Sequence, residues 1–149
     1  MNKDKNKENS SQVSPESTSG NHSPFSILNS PLKKNVVKDK SYAFALRMVK
    51  AYKYLSQEHR EFVLSKQALR SGTSIGALVR ESEHAQSRAD FVNKMNIALK
   101  EANETEYWLM LLKDSEYLDE KTFTSIYKDC DELISLLVSI VKTTKESKK

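Results

Sequence analysis

From residue 32 to its end the chain contains no proline, and only Gly72 and Gly76 interrupt it with glycine. Proline lacks an amide hydrogen and glycine loses extra backbone entropy on ordering, so the two residues normally punctuate a chain into turns. A run this long without them satisfies its backbone hydrogen bonds most simply as α-helices. Pro15, Gly20, Pro24 and Pro31 all fall before residue 32.

Hydrophobic periodicity divides the run into four helices. The first spans residues 37 to 56, with an expected core stripe of Tyr42, Ala45, Leu46, Val49 and Tyr52, and Met48 and Leu55 beside it. The second spans 60 to 84 and combines Leu64, Ala68, Ile75 and Leu78 with a neighbouring stripe of Leu69, Gly72, Gly76 and Val79. The third opens at Ser87-Arg88-Ala89-Asp90, where Ser87 can cap the helix and Asp90 can reach back toward it. Phe91, Met95, Ala98, Ala102, Thr105, Leu109 and Leu112 form its core stripe. Asp119 is placed to cap the fourth, whose stripe is Phe123, Ile126, Cys130, Leu133, Leu137 and Ile140. Short connections make successive helices antiparallel neighbours. The expected fold is all-α, an antiparallel up-down four-helix bundle over residues 36–145. A disordered polar tail (1–35) precedes it and a Lys-rich end (146–149) follows.

The tail is rich in Ser, Asn and Lys and too poor in apolar residues to offset its ordering entropy. Its exception is FSILNSPL (25–32), read either as a docking segment or as a slightly apolar part of the tail. The N-terminus lacks an apolar signal-peptide region, and the densest apolar run, LISLLVSIV, is far short of the roughly 20 residues that span a membrane. A cytoplasmic protein is expected. Cys130, the single cysteine, allows no internal disulfide.

LRSGTSIGALVRES (69–82) raises a choice between a phosphate loop and a helix interior. No strand precedes its glycines, and the spacing and lysine of a nucleotide loop are missing. Ala68, Gly72 and Gly76 instead fall one turn apart on a helix face, where small residues let a neighbouring helix approach. Glu81 and His84 form one E-x-x-H, whereas a di-iron bundle uses two such motifs and two further glutamates. No metal site, cofactor or catalytic set is expected, and the protein is read as non-enzymatic. Cys130 sits on an apolar stripe and reads as a small core residue.

Charge is unevenly spread. Residues 35 to 80 carry nine bases against three acids, and residues 81 to 141 six bases against thirteen acids. Lys40, Arg47 and Lys50 on the first helix and Lys66, Arg70 and Arg80 on the second are candidate contacts to a nucleic-acid backbone. Tyr42, Tyr52 and Tyr54 are base-stacking candidates or core residues. The same polarity fits oppositely charged faces that meet within the fold or between subunits of a ring. Glu101 and Glu104 share a face with Trp108 and require partners if buried, with Arg70 and Arg80 as candidates.

The blocks SKQALRSGTSIGALVRE, ADFVNKMNIALKEANETEYWL and LISLLVSIVKTT closely resemble the bacterial 23S ribosomal RNA intervening-sequence proteins, over about residues 38 to 145. Arg70, Arg80, Glu101, Glu104 and Trp108 lie within these blocks. The resemblance implies an antiparallel four-helix bundle that forms a homo-oligomer, a pentameric ring in relatives. It also implies similarity to the accessory protein of diversity-generating retroelements, a basic pentamer that binds nucleic acid and a reverse transcriptase. Structured RNA or a nucleic-acid complex is thus the expected partner.

Overall fold

The structure, a computed structural model, describes residues 31–147. Four helices carry most of them: α1 (Pro31–Glu58), α2 (Leu64–Ser82), α3 (Arg88–Asp114) and α4 (Glu120–Glu146). Successive helices pack side by side, α4 closes against α1, and diagonal pairs do not meet. This is the expected up-down bundle, with no strand among the described residues. None of the described helices is long and apolar enough to cross a membrane.

The expected disorder of residues 1–30 lies outside the described residues, as do Lys148 and Lys149. Residues 31–35, assigned to the tail from sequence, are instead helical. Pro31 opens α1, where its fixed φ suits a helix and its missing amide hydrogen breaks no intrahelical bond.

The buried face of α1 also differs from expectation. Val37, Ser41, Phe44, Met48 and Leu55 are buried, and Ala51 packs against them. Their spacing alternates between four and three residues, the period of one helix face. Tyr42, Leu46 and Val49, expected in the core, point outward and are 61%, 49% and 36% exposed. Apolar residues sit on two faces of α1, and Ser41 disguises the face that is buried. The small face of α2 selects between them, because Ser41 packs beside Gly76.

That α2 face comprises Ser65, Ala68, Ser71, Gly72, Ile75, Val79 and Ser82. The serines satisfy their hydroxyls locally: Ser71 donates to Ala68 O at 3.3 Å and Ser82 to Val79 O at 2.6 Å. Thr105 on α3 donates to Ser71 Oγ at 2.9 Å, a buried hydroxyl contact between the two helices. A Cβ at Gly72 would lie 2.6 Å from Met48 Cγ, whereas one at Gly76 would lie 3.4 Å from Ser41 O. The two glycines therefore respond oppositely to substitution. Gly72→Ala should lower stability by about 1 kcal/mol, because overpacking outweighs the gain in helix propensity. Gly76→Ala should keep that gain and add up to about 1 kcal/mol. Urea unfolding of both variants checks this, and shifts of the same sign would refute it.

Local chemistry sets the helix ends. Ser87 Oγ accepts from Asp90 N at 3.0 Å, and Asp119 Oδ1 accepts from Thr122 N at 2.7 Å, each capping the helix it precedes. Asp90 reaches back one residue beyond a standard capping box, to Gln86 N at 3.2 Å. The end of α3 turns through Glu116 at φ 68°, with Glu116 N bonded to Lys113 O and Tyr117 N to Leu112 O, both at 2.9 Å. This is a Schellman closure with Glu in the position usually held by Gly.

α2 begins at Leu64 rather than near residue 60. Arg60 adopts φ 51°, and the chain turns so that Glu61 N reaches Leu55 O at 3.0 Å. The buried Glu61 carboxylate then accepts from Val63 N at 3.0 Å, Leu64 N at 2.8 Å and Ser65 N at 2.7 Å. It covers the amides at the start of α2, which have no partner within the helix. Burial disfavours its charge, but the bonds from Ser65, Leu64 and Val63 prevail and hold its pKa below the usual carboxylate value.

Candidate functional site

The six candidate cations do not form one stripe. Lys40, Arg47 and Lys50 lie on α1; the first two face α4, and Lys50 lines a groove along the same edge. Lys40 pairs with Glu132. Arg47 donates to Asp129 at 2.6 Å, to Ser125 O at 3.2 Å and to Ser125 Oγ at 3.0 Å. On α2, Arg70 turns toward α3 and Arg80 lines a groove against α1. Lys50, Lys66 and Arg80 form no ion pair among the described residues, and Lys66 and Arg80 are exposed.

Part of the charge polarity seen in the sequence is thus met inside a single bundle, where basic α1 lies beside Asp129 and Glu132 of α4. Lys38 adds a bridge to Glu83 at 3.0 Å across α1 and α2, and Lys94 one to Glu81 at 3.6 Å across α3 and α2. These pairs are solvent-exposed and contribute register more than stability.

Arg70 is the hub of a tighter cluster. It donates to Glu104 at 2.6 Å and to Glu101 at 3.4 Å, while Trp108 Nε1 donates to the same Glu104 oxygen at 3.2 Å. Glu101, Glu104 and Trp108 therefore meet Arg70 within one chain, and Arg80 takes no part. The hydrogen bond from Arg70 is the main reason that Glu104 lies below the usual carboxylate pKa; burial opposes it and the Trp108 bond reinforces it. The Arg70 pKa is raised in turn, chiefly by the bond to Glu104.

Two surface features escaped the sequence reading. The first is the outward apolar stripe of Tyr42, Leu46 and Val49 on α1. The second is a groove of about 640 Å³ between α1 and α2, walled by Lys38, Tyr42, Ala45, Thr73, Ala77 and Arg80. A smaller groove of about 420 Å³ between α1 and α4 brings Arg47, Lys50 and Tyr54 over Ala51 and Ile126. Tyr42 and Tyr54 are exposed, and Tyr52 is half-buried. Apolar residues on two sides of α1 were the available signal, but only the packing shows which side is left over.

Among the described residues the reactive side chains lie apart from one another. Cys130 is buried, donates to Ala102 O at 3.3 Å and has its pKa pushed up, first by burial and then by Glu106 and Asp131, so it stays a thiol. His59 meets Tyr54 Oη at 2.9 Å, and His84 is exposed. Among the described residues no three His, Cys, Asp or Glu side chains are placed to hold a metal ion. Glu106 is unusual: its Oε1 is buried without a hydrogen-bond partner. Burial, followed by the neighbouring Asp131 carboxyl, raises its pKa to about 7, while Tyr127 partly opposes the shift.

None of the curated proteins matches this chain. A solved structure from Bacteroides thetaiotaomicron VPI-5482, described as a protein with unknown function from the S23 ribosomal protein family, is 64% identical, with a TM-score of 0.73. The match covers 74% of this chain and 98% of that one. Residues 33–139, most of the described bundle, match the 23S rRNA-intervening sequence proteins, and the chain belongs to that family.

Proposed function

We propose that this protein is a non-enzymatic bundle that works by binding, and that it self-associates through the outer face of α1. The observation that carries this reading is the Tyr42, Leu46 and Val49 stripe, exposed on a helix whose core face lies elsewhere. Apolar side chains at helical spacing gain nothing in water and suit a subunit interface. The closed ring implied by the resemblance repeats one such contact around an axis. Leu46→Glu with Val49→Glu should convert the oligomer to monomer in sedimentation velocity while leaving helix content and thermal unfolding unchanged. A wild-type chain that stays monomeric at high concentration would sink the proposal.

A second reading, contact with RNA, is favoured by the α1–α4 groove. There Lys50 and the exposed Tyr54 supply a cation and a ring face, the pair that unstacked nucleotides engage. Lys50 and Arg80, which form no ion pair among the described residues, line different grooves of one bundle. Lys50→Glu with Tyr54→Ala should lose most RNA affinity in filter-binding titrations at low salt. Arg47 is a poor probe, because its reversal also breaks the Asp129 pair. Unchanged affinity in the double variant would exclude this groove.

A further inference from the structure

Given self-association through α1, we infer that the α1 stripe of one copy docks on the outer face of α3 in the next, with the two helices parallel and Leu46 seated on Tyr107. A ring repeats a contact between two different patches of each subunit. Among the described helices only α1 and α3 expose two or more large apolar side chains about one turn apart. On α3 these are Tyr107 and Met110, 56% and 47% exposed. The Tyr107 ring is braced edge-on against Trp108, with centroids 5.1 Å apart, and Trp108 is itself bonded to Glu104. α1 and α3 are diagonal in the bundle, so a contact between them repeats from copy to copy, and a rotation at each contact closes it into a ring.

Direction and height both agree with this placement. α1 and α3 run the same way in an up-down bundle, and copies related by an axis along the bundle keep that direction. A closed ring also allows no rise from copy to copy, so the residues that meet must stand at similar heights. Within one chain Arg47 bonds Ser125 and Asp129 of α4, and Tyr127 between them lies against Glu106, which sets Arg47 level with Glu106. Leu46 and Tyr107 then differ in height by about 3 Å, at 1.5 Å per residue. Through α2, where Met48 packs on Gly72 and Ser71 meets Thr105, the difference is about 8 Å. The ordinary crossing angle of packed helices, about 20°, absorbs a shift of this size.

In the same register the two stripes match along their length. Val49 falls opposite Met110, Lys53 opposite Asp114 and Asp39 opposite Lys100, each pair separated by the same interval in sequence as Leu46 and Tyr107. Asp39, Lys53 and Lys100 form no ion pair among the described residues, and Asp114 has only its neighbour Lys113, at 3.9 Å. Both ends of the stripe thus present opposite charges that the single bundle leaves unmatched. Reversing α3 would set Lys53 against Lys100 and Asp39 against Asp114, two repulsive pairs. Two α1 stripes packed antiparallel about Leu46 would pair Asp39 with Lys53, but would leave Tyr107 and Met110 in water.

The test mixes two full chains, one carrying Lys53→Cys and the other Asp114→Cys, under mild oxidation. All the substituted positions are exposed, and the native Cys130 is buried. The expected result is a disulfide-linked dimer on non-reducing gels, at least tenfold more abundant than from either chain alone. Lys53→Cys mixed with Asp39→Cys should stay largely unlinked. Tyr107→Glu with Met110→Glu should dissociate the oligomer in sedimentation velocity with helix content unchanged. Linkage of Lys53→Cys to Asp39→Cys instead would overturn the inference in favour of paired α1 faces, leaving self-association standing. An oligomer with neither linkage, or one that survives Tyr107→Glu with Met110→Glu, would overturn it too. A monomeric wild-type chain would sink self-association itself, and this contact with it.

Discussion

Glu61→Ala should destabilise the bundle by about 2–3 kcal/mol, since hydrogen bonds to a charged group are worth about 1.5–3 and a lost helix cap about 0.5–2. The carboxylate accepts from the amides of Val63, Leu64 and Ser65, and Ser65 is buried. Alanine leaves those amides at the start of α2 without acceptors. The melting temperature should fall by roughly 10 °C for a domain of this size. Glu61→Gln keeps one acceptor oxygen and should fall between the two. The sign with pH follows from the lowered pKa of Glu61. Its contribution is complete above the ordinary carboxylate pKa and is lost as pH falls through the lower folded value. The gap between wild type and Glu61→Ala should therefore narrow in acid. Thermal melts from pH 3 to pH 8 measure it, and a constant gap would show that Glu61 acts by packing alone.

Glu106→Gln should do the opposite and stabilise the protein at pH 8. The Glu106 carboxyl has one buried oxygen without a partner and Asp131 nearby on α4, and its pKa rises to about 7. The folded state thus holds a proton that the unfolded state releases near pH 4.5. Where the folded state binds more protons, stability falls as pH rises, here between about pH 4.5 and 7, and levels off above. Solvent screening reduces the effect at this half-buried group to about 1–2 kcal/mol. Glutamine carries no charge and keeps the shape, so its gain should appear at pH 8 and vanish at pH 4. Equal stability of the two proteins at pH 8 would refute the proton-holding role.

Several parts of the fold were legible residue by residue. The caps at Ser87 and Asp119 depend on side chains three residues from the amides they accept, so they follow from local chain geometry. The α3 and α4 stripes were readable because each has one dominant apolar face. Met95, Ala98, Ala102, Thr105, Leu109 and Leu112 are buried as expected, with Phe91 at the margin. So are Phe123, Ile126, Cys130, Leu133, Leu137 and Ile140. The turns were less legible. Arg60 and Glu116 occupy left-handed conformations that composition assigns to glycine, and Glu61 caps α2 from outside the helix.

By itself the sequence determined that the described part of the chain is helical, where two of its helices begin, and which faces of α3 and α4 enter the core. Capping and a single dominant apolar face act over three or four residues, so they can be read from the local sequence. Only the tertiary structure decided which side of α1 is buried, because two apolar faces compete and the small face of α2 accepts Ser41, Phe44 and Met48 rather than Tyr42, Leu46 and Val49. It also decided which cations remain free. Pairing depends on the helix that happens to lie alongside, which placed Asp129 beside Arg47 and Glu104 beside Arg70 and gave Lys50 and Arg80 no ion pair among the described residues. The candidate interaction surfaces are what the packing left unused, a difference between the whole chain and its buried part that no local pattern can contain.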